Sequence, residues 1–197
     1  MTFGSFPEAA IYELCQTLVL VEGSEDAAYI YARLAIEGRL DGFRKYGCHI
    51  VPVGGKSMLI KPIAMAKHLE IPTFVVFDAD TKETKQDRIQ QHRKENASIQ
   101  TLLGETDVDN WPTADRWGHN YVMWAKNMTA MIEEEMGAKW HQYIQAACDK
   151  YGHPGGLQKN PLAIAYAMEL AQNEGTKSVS LVRLITKILD FAEASWG

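Results

Sequence analysis

Three short apolar runs, each followed by a polar turn and a helix-forming stretch, constrain this chain more than any other feature. Thr17-Leu18-Val19-Leu20-Val21 and Thr73-Phe74-Val75-Val76-Phe77 are continuous and largely β-branched or aliphatic. They are too short for buried helices and read as strands covered on both faces. His49-Ile50-Val51-Pro52-Val53 reads as another strand, whose proline places it at an edge or an end. After the first run, Ser24 is a candidate N-cap, Glu25 and Asp26 suit the first turn of a helix, Ala27 to Ile36 continues it, and Gly38 can stop it. After the second, Gly54-Gly55-Lys56-Ser57 turns the chain and Met58 to His68 reads as a helix, with Pro62 in its first turns. The order βαβαβ implies a parallel sheet with right-handed crossovers and helices on its faces.

Beyond this unit, residues 82–103 read as a polar helical insertion and residues 104–120 as a loop holding Pro112 and Gly118. Asn120-Tyr121-Val122-Met123-Trp124 reads as a fourth strand. Helices are expected over Met128–Met136, Lys139–Tyr151, Pro161–Asn173 and Val179–Ser195, with a loop at Gly152–Gly156 and a short helical lead-in over residues 1–16. The expected organisation is an α/β core over residues 1–126, interrupted by the insertion at about 82–118, and a helical part over residues 127–197 packed on or beside it.

Composition limits the function classes. Hydrophobic residues make up 46% of the chain, enough to bury a core. No apolar run approaches the roughly 18 residues of a membrane span, and Met1 to Glu8 shows no signal-peptide pattern. Cys15, Cys48 and Cys148 have no metal or redox spacing, so thiols in a reducing cytoplasm are expected. A net charge of −5 argues against a protein that coats DNA, but not against an enzyme that reaches phosphates through cations.

The chemistry-bearing residues lie where ligands bind in such sheets, beyond the carboxyl ends of the strands. Glu22 ends the first run and Asp26 follows one helical turn later, so both can face one way. Asp78 and Asp80 end the third strand at a spacing that projects both to one side. Four carboxylates converging in one cleft raise each other's pKa or demand cations. Oxygen-only ligands suit Mg²⁺ or Mn²⁺ rather than zinc, and two such ions about 4 Å apart can clamp the attacking and leaving oxygens of a phosphodiester. The plain alternative is that Asp78 and Asp80 cap a helix and that Glu22 and Asp26 are surface residues.

Other signals are weaker. Gly54-Gly55-Lys56-Ser57 is not a P-loop, because Ile50 stands where the first glycine is required. A tight turn that brings Lys56 to a phosphate is one reading, simple turn chemistry the other. Lys82, Lys85, Arg88 and His92 would share about a third of a helix circumference, a basic stripe suited to a DNA backbone or an ordinary solvated face. His119, His141 and His153 show no ligand spacing. Trp111, Trp117, Trp124 and Trp140 read as core or loop anchors.

Leu18-Val19-Leu20-Val21-Glu22-Gly23 with Asp26, Val51-Pro52-Val53-Gly54-Gly55-Lys56-Ser57, and Ile71-Pro72-Thr73-Phe74-Val75-Val76-Phe77-Asp78-Ala79-Asp80 together resemble the TOPRIM pattern, and most closely the nuclease half of the OLD (overcoming lysogenization defect) family. The resemblance covers residues 17–81. It implies a TOPRIM-like parallel sheet flanked by helices and a DNA endonuclease or nickase using two Mg²⁺ or Mn²⁺ ions. Glu22, Asp26, Asp78 and Asp80 become the metal ligands, with Glu22 and Asp78 central to catalysis. Lys159, in Gln158-Lys159-Asn160-Pro161-Leu162, becomes a candidate for stabilising charge on the transferred phosphate. The resemblance also implies an ABC-type ATPase region ahead of this domain and a helicase partner. No Walker A motif is present, so the chain is expected to be the C-terminal piece of a longer protein. One departure stands out: the family's further metal-binding glutamate is missing from Lys126-Asn127-Met128-Thr129, and Glu133 is the candidate replacement, although Glu133-Glu134-Glu135 also reads as a solvated face. Two rival readings are a haloacid-dehalogenase-type phosphatase with Asp78 as nucleophile, which leaves Glu22 and Asp26 without a role, and a catalytically silent TOPRIM module that binds DNA or a partner.

Overall fold

The computed structural model describes residues 16–151 and 160–195. The expected lead-in helix before residue 16, the 152–156 loop, His153 and Lys159 therefore lie outside the described residues.

Strands β1 (Thr17–Val21), β2 (Cys48–Pro52), β3 (Thr73–Asp78), β4 (Arg116–Trp117) and β5 (Tyr121–Trp124) form one sheet in the order β2-β1-β3-β5-β4. β1 pairs in parallel with β2 and β3, and β3 pairs in parallel with β5. β4 alone runs antiparallel, against β5. Every residue of β1 is buried, as is each of Thr73 to Phe77, which is why these strands are uniformly apolar rather than alternating. β2 lies at the edge, and its Pro52 falls at the strand end, where a missing N–H breaks no ladder.

The two-residue period of the strands divides the core into two layers. Val19, Val21, Phe74, Val76, Val122 and Trp124 face helix α1 (Ser24–Ile36) and the helices α5 (Met128–Met136), α6 (Trp140–Tyr151), α7 (Pro161–Asn173) and α8 (Val179–Ser195). Leu18, Leu20, Val75, Phe77, Tyr121 and Met123 face α3 (Ile60–His68) and α4 (Gln86–Leu102). The helices from residue 128 onward thus share one apolar layer with α1 and the sheet. Polar ties fasten them: Arg33 on α1 donates to Gln172 on α7 at 3.0 Å, and Arg39 donates to Thr186 on α8 at 2.6 Å.

Three local expectations differ from the structure. A short helix α2 (Leu40–Lys45) follows Gly38, where no helix was expected. The 104–120 segment includes β4, which closes the sheet edge beyond β5. The insertion helix begins at Gln86 rather than at residue 82, because residues 80–85 form a turn. In that turn the Glu83 N–H donates to the Asp80 carbonyl at 3.0 Å, and the Glu83 carboxylate accepts from the N–H groups of Thr84 and Lys85. Among the described residues no helix is long and apolar enough to cross a membrane.

Candidate metal centre

The carboxyl ends of β1 and β3 are adjacent in the sheet, and four acids leave from them. Glu22 follows the last residue of β1, and its Oε1 accepts the Asp78 N–H at 2.7 Å, so the glutamate bridges directly to the end of β3. Asp26, in the first turn of α1, accepts the Gly23 N–H at 2.8 Å. Its carboxylate therefore caps the helix that starts at the end of β1. Asp78 Oδ1 accepts the Met128 N–H at 3.2 Å, at the first residue of α5. A helix N-terminus thus points one of its free N–H groups, that of Met128, at the central aspartate. Asn127 organises that terminus, its side chain accepting the Ala130 N–H at 2.7 Å.

Asp80 is held differently. Its backbone has φ 58°, a left-handed conformation that aspartate tolerates better than most residues. Its N–H donates to the Lys126 carbonyl at 3.3 Å, and the neighbouring Thr81 ties its N–H and its hydroxyl to the Ala125 carbonyl. Its Oδ2 accepts from the Lys56 ammonium at 2.7 Å and lies 3.4 Å from His92 Nδ1. On the other side, the buried amide of Asn96 on α4 donates to the Ala79 carbonyl and to the Asn110 carbonyl, both at 3.1 Å. The Asp78-Ala79-Asp80 turn is therefore pinned from β1, α4, α5 and the loop after β5.

The glycine pair beside it follows from backbone geometry. Gly54 (φ 89°) and Gly55 (φ 133°) both direct their N–H groups at the Glu22 carbonyl, each at 2.9 Å. A side chain would strain either position. This doubled contact bolts the turn after β2 to the end of β1, and the 3₁₀ turn Lys56–Met58 that follows carries Lys56 inward.

Burial and mutual repulsion leave the acids electrostatically loaded. Burial, with Asp80 and Asp26 adding repulsion, pushes Glu22 up from 4.5 to about 7, even though the Asp78 N–H and Lys56 pull the other way. Asp26 is pushed up from 3.8 to about 6, first by burial and then by Glu25. Asp78 is raised well above its ordinary value by burial and then by Glu22, Asp26 and Asp80. Glu25 is also raised, by burial and by Glu133, which brings Glu133 on α5 into the same electrostatic neighbourhood. Tyr29, on the same face of α1 as Glu25 and Asp26, is raised by burial and by Glu25, Glu133 and Asp26.

The donor set suits a hard divalent cation: oxygen ligands only, drawn together against their own repulsion, at the C-terminal end of a parallel sheet. The side chains do not form a finished cage, for among the described residues no three His, Cys, Asp or Glu groups stand ready to hold an ion. Each carboxylate is instead engaged by a backbone N–H or by Lys56.

The structure brings Glu22, Asp26, Asp78 and Asp80 together and sets Glu133 near Glu25 on an exposed stretch of α5. Lys56, expected to reach a phosphate, is turned inward and only 5% exposed, because Asp80 and the Asp78 carbonyl take up its ammonium. Lys82 and Lys85 do not share a helical stripe with Arg88 and His92, since the helix starts after them. Lys82, Lys85 and Arg88 are exposed, whereas His92 turns toward Asp80. The inward lysine, the His92 approach and the Met128 N–H escaped the sequence reading, since only the double glycine and the Asp-x-Asp spacing hint at them.

A five-stranded sheet of this order, with Glu22 and Asp26 at one strand end and Asp78-Ala79-Asp80 at the next, defines a TOPRIM-type α/β fold. More particularly, residues 14–80 match the family described as Overcoming lysogenization defect protein-like, TOPRIM domain. The fold is similar to that of the C-terminal region of the Burkholderia pseudomallei OLD protein, at 17% identity and TM-score 0.56, over 90% of this chain and 98% of that one. The C-terminal region of the Xanthomonas campestris pv. campestris OLD protein aligns at 16% identity and TM-score 0.46, over 92% of this chain and 84% of that one. No curated protein matches the sequence.

Proposed function

We propose that this domain is a Mg²⁺- or Mn²⁺-dependent DNA endonuclease or nickase that hydrolyses phosphodiesters, with Glu22, Asp26, Asp78 and Asp80 as the principal ligands of two ions and Glu133 as a further one. The observation that carries this reading is the half-buried, mutually repelling group of Glu22, Asp26 and Asp78 at neighbouring strand ends, each pushed upward by desolvation and by neighbouring acids. A fold does not gather such groups for stability alone, since each raised carboxyl weakens the folded state at neutral pH. When bound, the ions would supply a lowered water pKa and charge stabilisation at the phosphoryl oxygens.

The chain's own residues do the remaining work. Glu22 holds the end of β3 through the Asp78 N–H, so the two strand ends keep one spacing. The N-terminus of α5 orients Asp78 through Met128. Exposed Lys82, Lys85 and Arg88, at the entrance to α4, are proposed to follow the DNA backbone. Lys159 is proposed, from the family likeness, to stabilise charge on the transferred phosphate. That likeness extends the proposal to an ABC-type ATPase region ahead of this domain in the same protein, and to a helicase as assisting partner.

A second reading, a binding module without catalysis, is favoured by the Lys56–Asp80 pair, which already neutralises one ligand. Supercoiled plasmid separates the two. Nicking or linearisation with Mg²⁺ or Mn²⁺, none in EDTA, and none from Asp78→Ala or Glu22→Ala variants of unchanged circular dichroism, is the expected result. Cutting that both variants retain overturns the site assignment, and no metal-dependent cutting by the unmodified chain favours the binding module.

A further inference from the structure

The least exposed cation beside the acids belongs to the protein itself. Lys56 follows the Gly54-Gly55 turn, its side chain is 4% exposed, and its ammonium donates to the Asp78 carbonyl at 2.6 Å and to Asp80 Oδ2 at 2.7 Å. The position is a built one. Both glycine N–H groups fix the turn to the Glu22 carbonyl, so the lysine enters from a rigid base, and its end spans the strand-end carbonyl and the second acid of Asp78-Ala79-Asp80.

The same contact withholds Asp80. Of the four acids it is the one whose carboxylate is paired with a lysine, and that oxygen also has His92 Nδ1 at 3.4 Å. Its backbone is pinned in a left-handed turn, so the carboxylate cannot swing far to reach a new partner while keeping the lysine. Glu22, Asp26 and Asp78 are bound only to backbone N–H groups, which a cation can leave in place by using the other carboxylate oxygen.

Resting on the metal-dependent reading above, we propose that Lys56 is a positioning residue that acts as an internal counter-ion. It keeps Asp80 in reserve, so that ions engaging Glu22, Asp26 and Asp78 bind first and the ion that needs Asp80 binds only by displacing the ammonium. The two binding steps are therefore unequal, and Lys56 sets the gap between them. Exchanging one cation for another also means that Asp80, whose side chain is 35% exposed, keeps a positive partner beside Glu22 and Asp78 at every stage.

The test is Mn²⁺ titration of the full chain by calorimetry, with thermal melts of the same samples. The unmodified chain is expected to bind Mn²⁺ in two steps. In K56M, which keeps an unbranched apolar stem and removes the ammonium, the weaker step is expected to tighten about tenfold and the tighter step to change by less than about threefold. Without metal K56M melts below the unmodified chain, because Asp80 loses its partner, and saturating Mn²⁺ restores the melting temperature. D80N loses the weaker step, and adding K56M to D80N changes the remaining step by less than about threefold. An unchanged or weakened second step in K56M overturns the proposal, as does a loss of melting temperature that Mn²⁺ does not restore. If K56M does not fold, the D80N/K56M double variant, in which Asp80 is no longer charged, carries the melting comparison against D80N, and a difference between them of more than about threefold in Mn²⁺ affinity overturns the proposal. Absence of Mn²⁺ binding in every form overturns the metal-dependent reading itself, whereas binding by K56M alone supports Lys56 as the element that closes the site.

Discussion

Replacing Glu22 by glutamine is expected to stabilise the metal-free domain at pH 8 and to change it far less at pH 5. Glu22 moves from 4.5 to about 7 on folding. A folded value above the unfolded one means that, between the two, the native state keeps a proton the unfolded chain has lost. Stability then falls as pH rises from about 4.5 to 7 and stays low above that. The difference of 2.5, from 4.5 to about 7, is worth roughly 3 kcal/mol at about 1.4 kcal/mol per pH unit. For a chain of this size that corresponds to about 6–12 °C in melting temperature. Asp26 adds to the same trend, but the two acids repel each other, so their effects are not summed. Glu83, Glu105 and Glu174, which hydrogen bonds hold below the ordinary range, titrate beneath this window and do not obscure it. In Glu22→Gln the amide oxygen can still accept the Asp78 N–H, so the change removes charge and keeps the bridge. The assay is thermal or urea unfolding in EDTA at pH 5, 6, 7 and 8, for both forms. A melting temperature that rises from pH 5 to pH 8 in the unmodified chain, or a variant that gains nothing at pH 8, refutes the reasoning. With Mn²⁺ added the order inverts, and the ion stabilises the unmodified chain more at pH 8 than at pH 5, because it competes with protons for the same oxygens.

Asp78→Asn is expected to reduce plasmid nicking by about a thousandfold or more while raising the metal-free melting temperature, which separates loss of chemistry from loss of fold; gel assays and melts check both. Gly55→Ala is expected to cost about 1–3 kcal/mol from backbone strain, since φ is 133° and no atom within 4 Å would clash with the new methyl group; urea titration gives the value. Joint replacement of Lys82, Lys85 and Arg88 by alanine is expected to leave stability unchanged and to reduce the slope of log affinity for duplex DNA against log salt by about 2–3; fluorescence anisotropy over a salt series measures it.

The parts of this fold legible in the sequence are those fixed by local chemistry. β1 and β3 announce themselves because strands buried on both faces must be apolar throughout, and the acids at their ends could be placed because strand ends define where a parallel sheet opens. The helices after residue 127 carry caps that can be read directly: Asn127, and Asn160 followed by Pro161. The helix α2 was not legible, having six residues, an interior Gly42 and no capping side chain. Nor was β4, whose two residues exist as a strand only because β5 lies beside them. The start of α4 was misplaced because the turn before it depends on the left-handed Asp80 and on Glu83 holding two N–H groups. The burial of Lys56 is a tertiary fact, decided by Asp80 and the Asp78 carbonyl, more than twenty positions away along the chain. A Gly-Gly-Lys-Ser string says only that the chain turns there.

Asn96 has a wider consequence. One amide group grips the Ala79 carbonyl with one hydrogen and the Asn110 carbonyl with the other, joining the acid-bearing turn to a segment that runs between α4 and β4. Together with the Asp115 carboxylate, which accepts the Ala125 N–H, this side chain ties the segment before β4 to the backbone around Asp78 and Asp80. Loss of that one amide would release the Ala79 and Asn110 carbonyls together, and with them a tether of the turn that sets the spacing of the two aspartates.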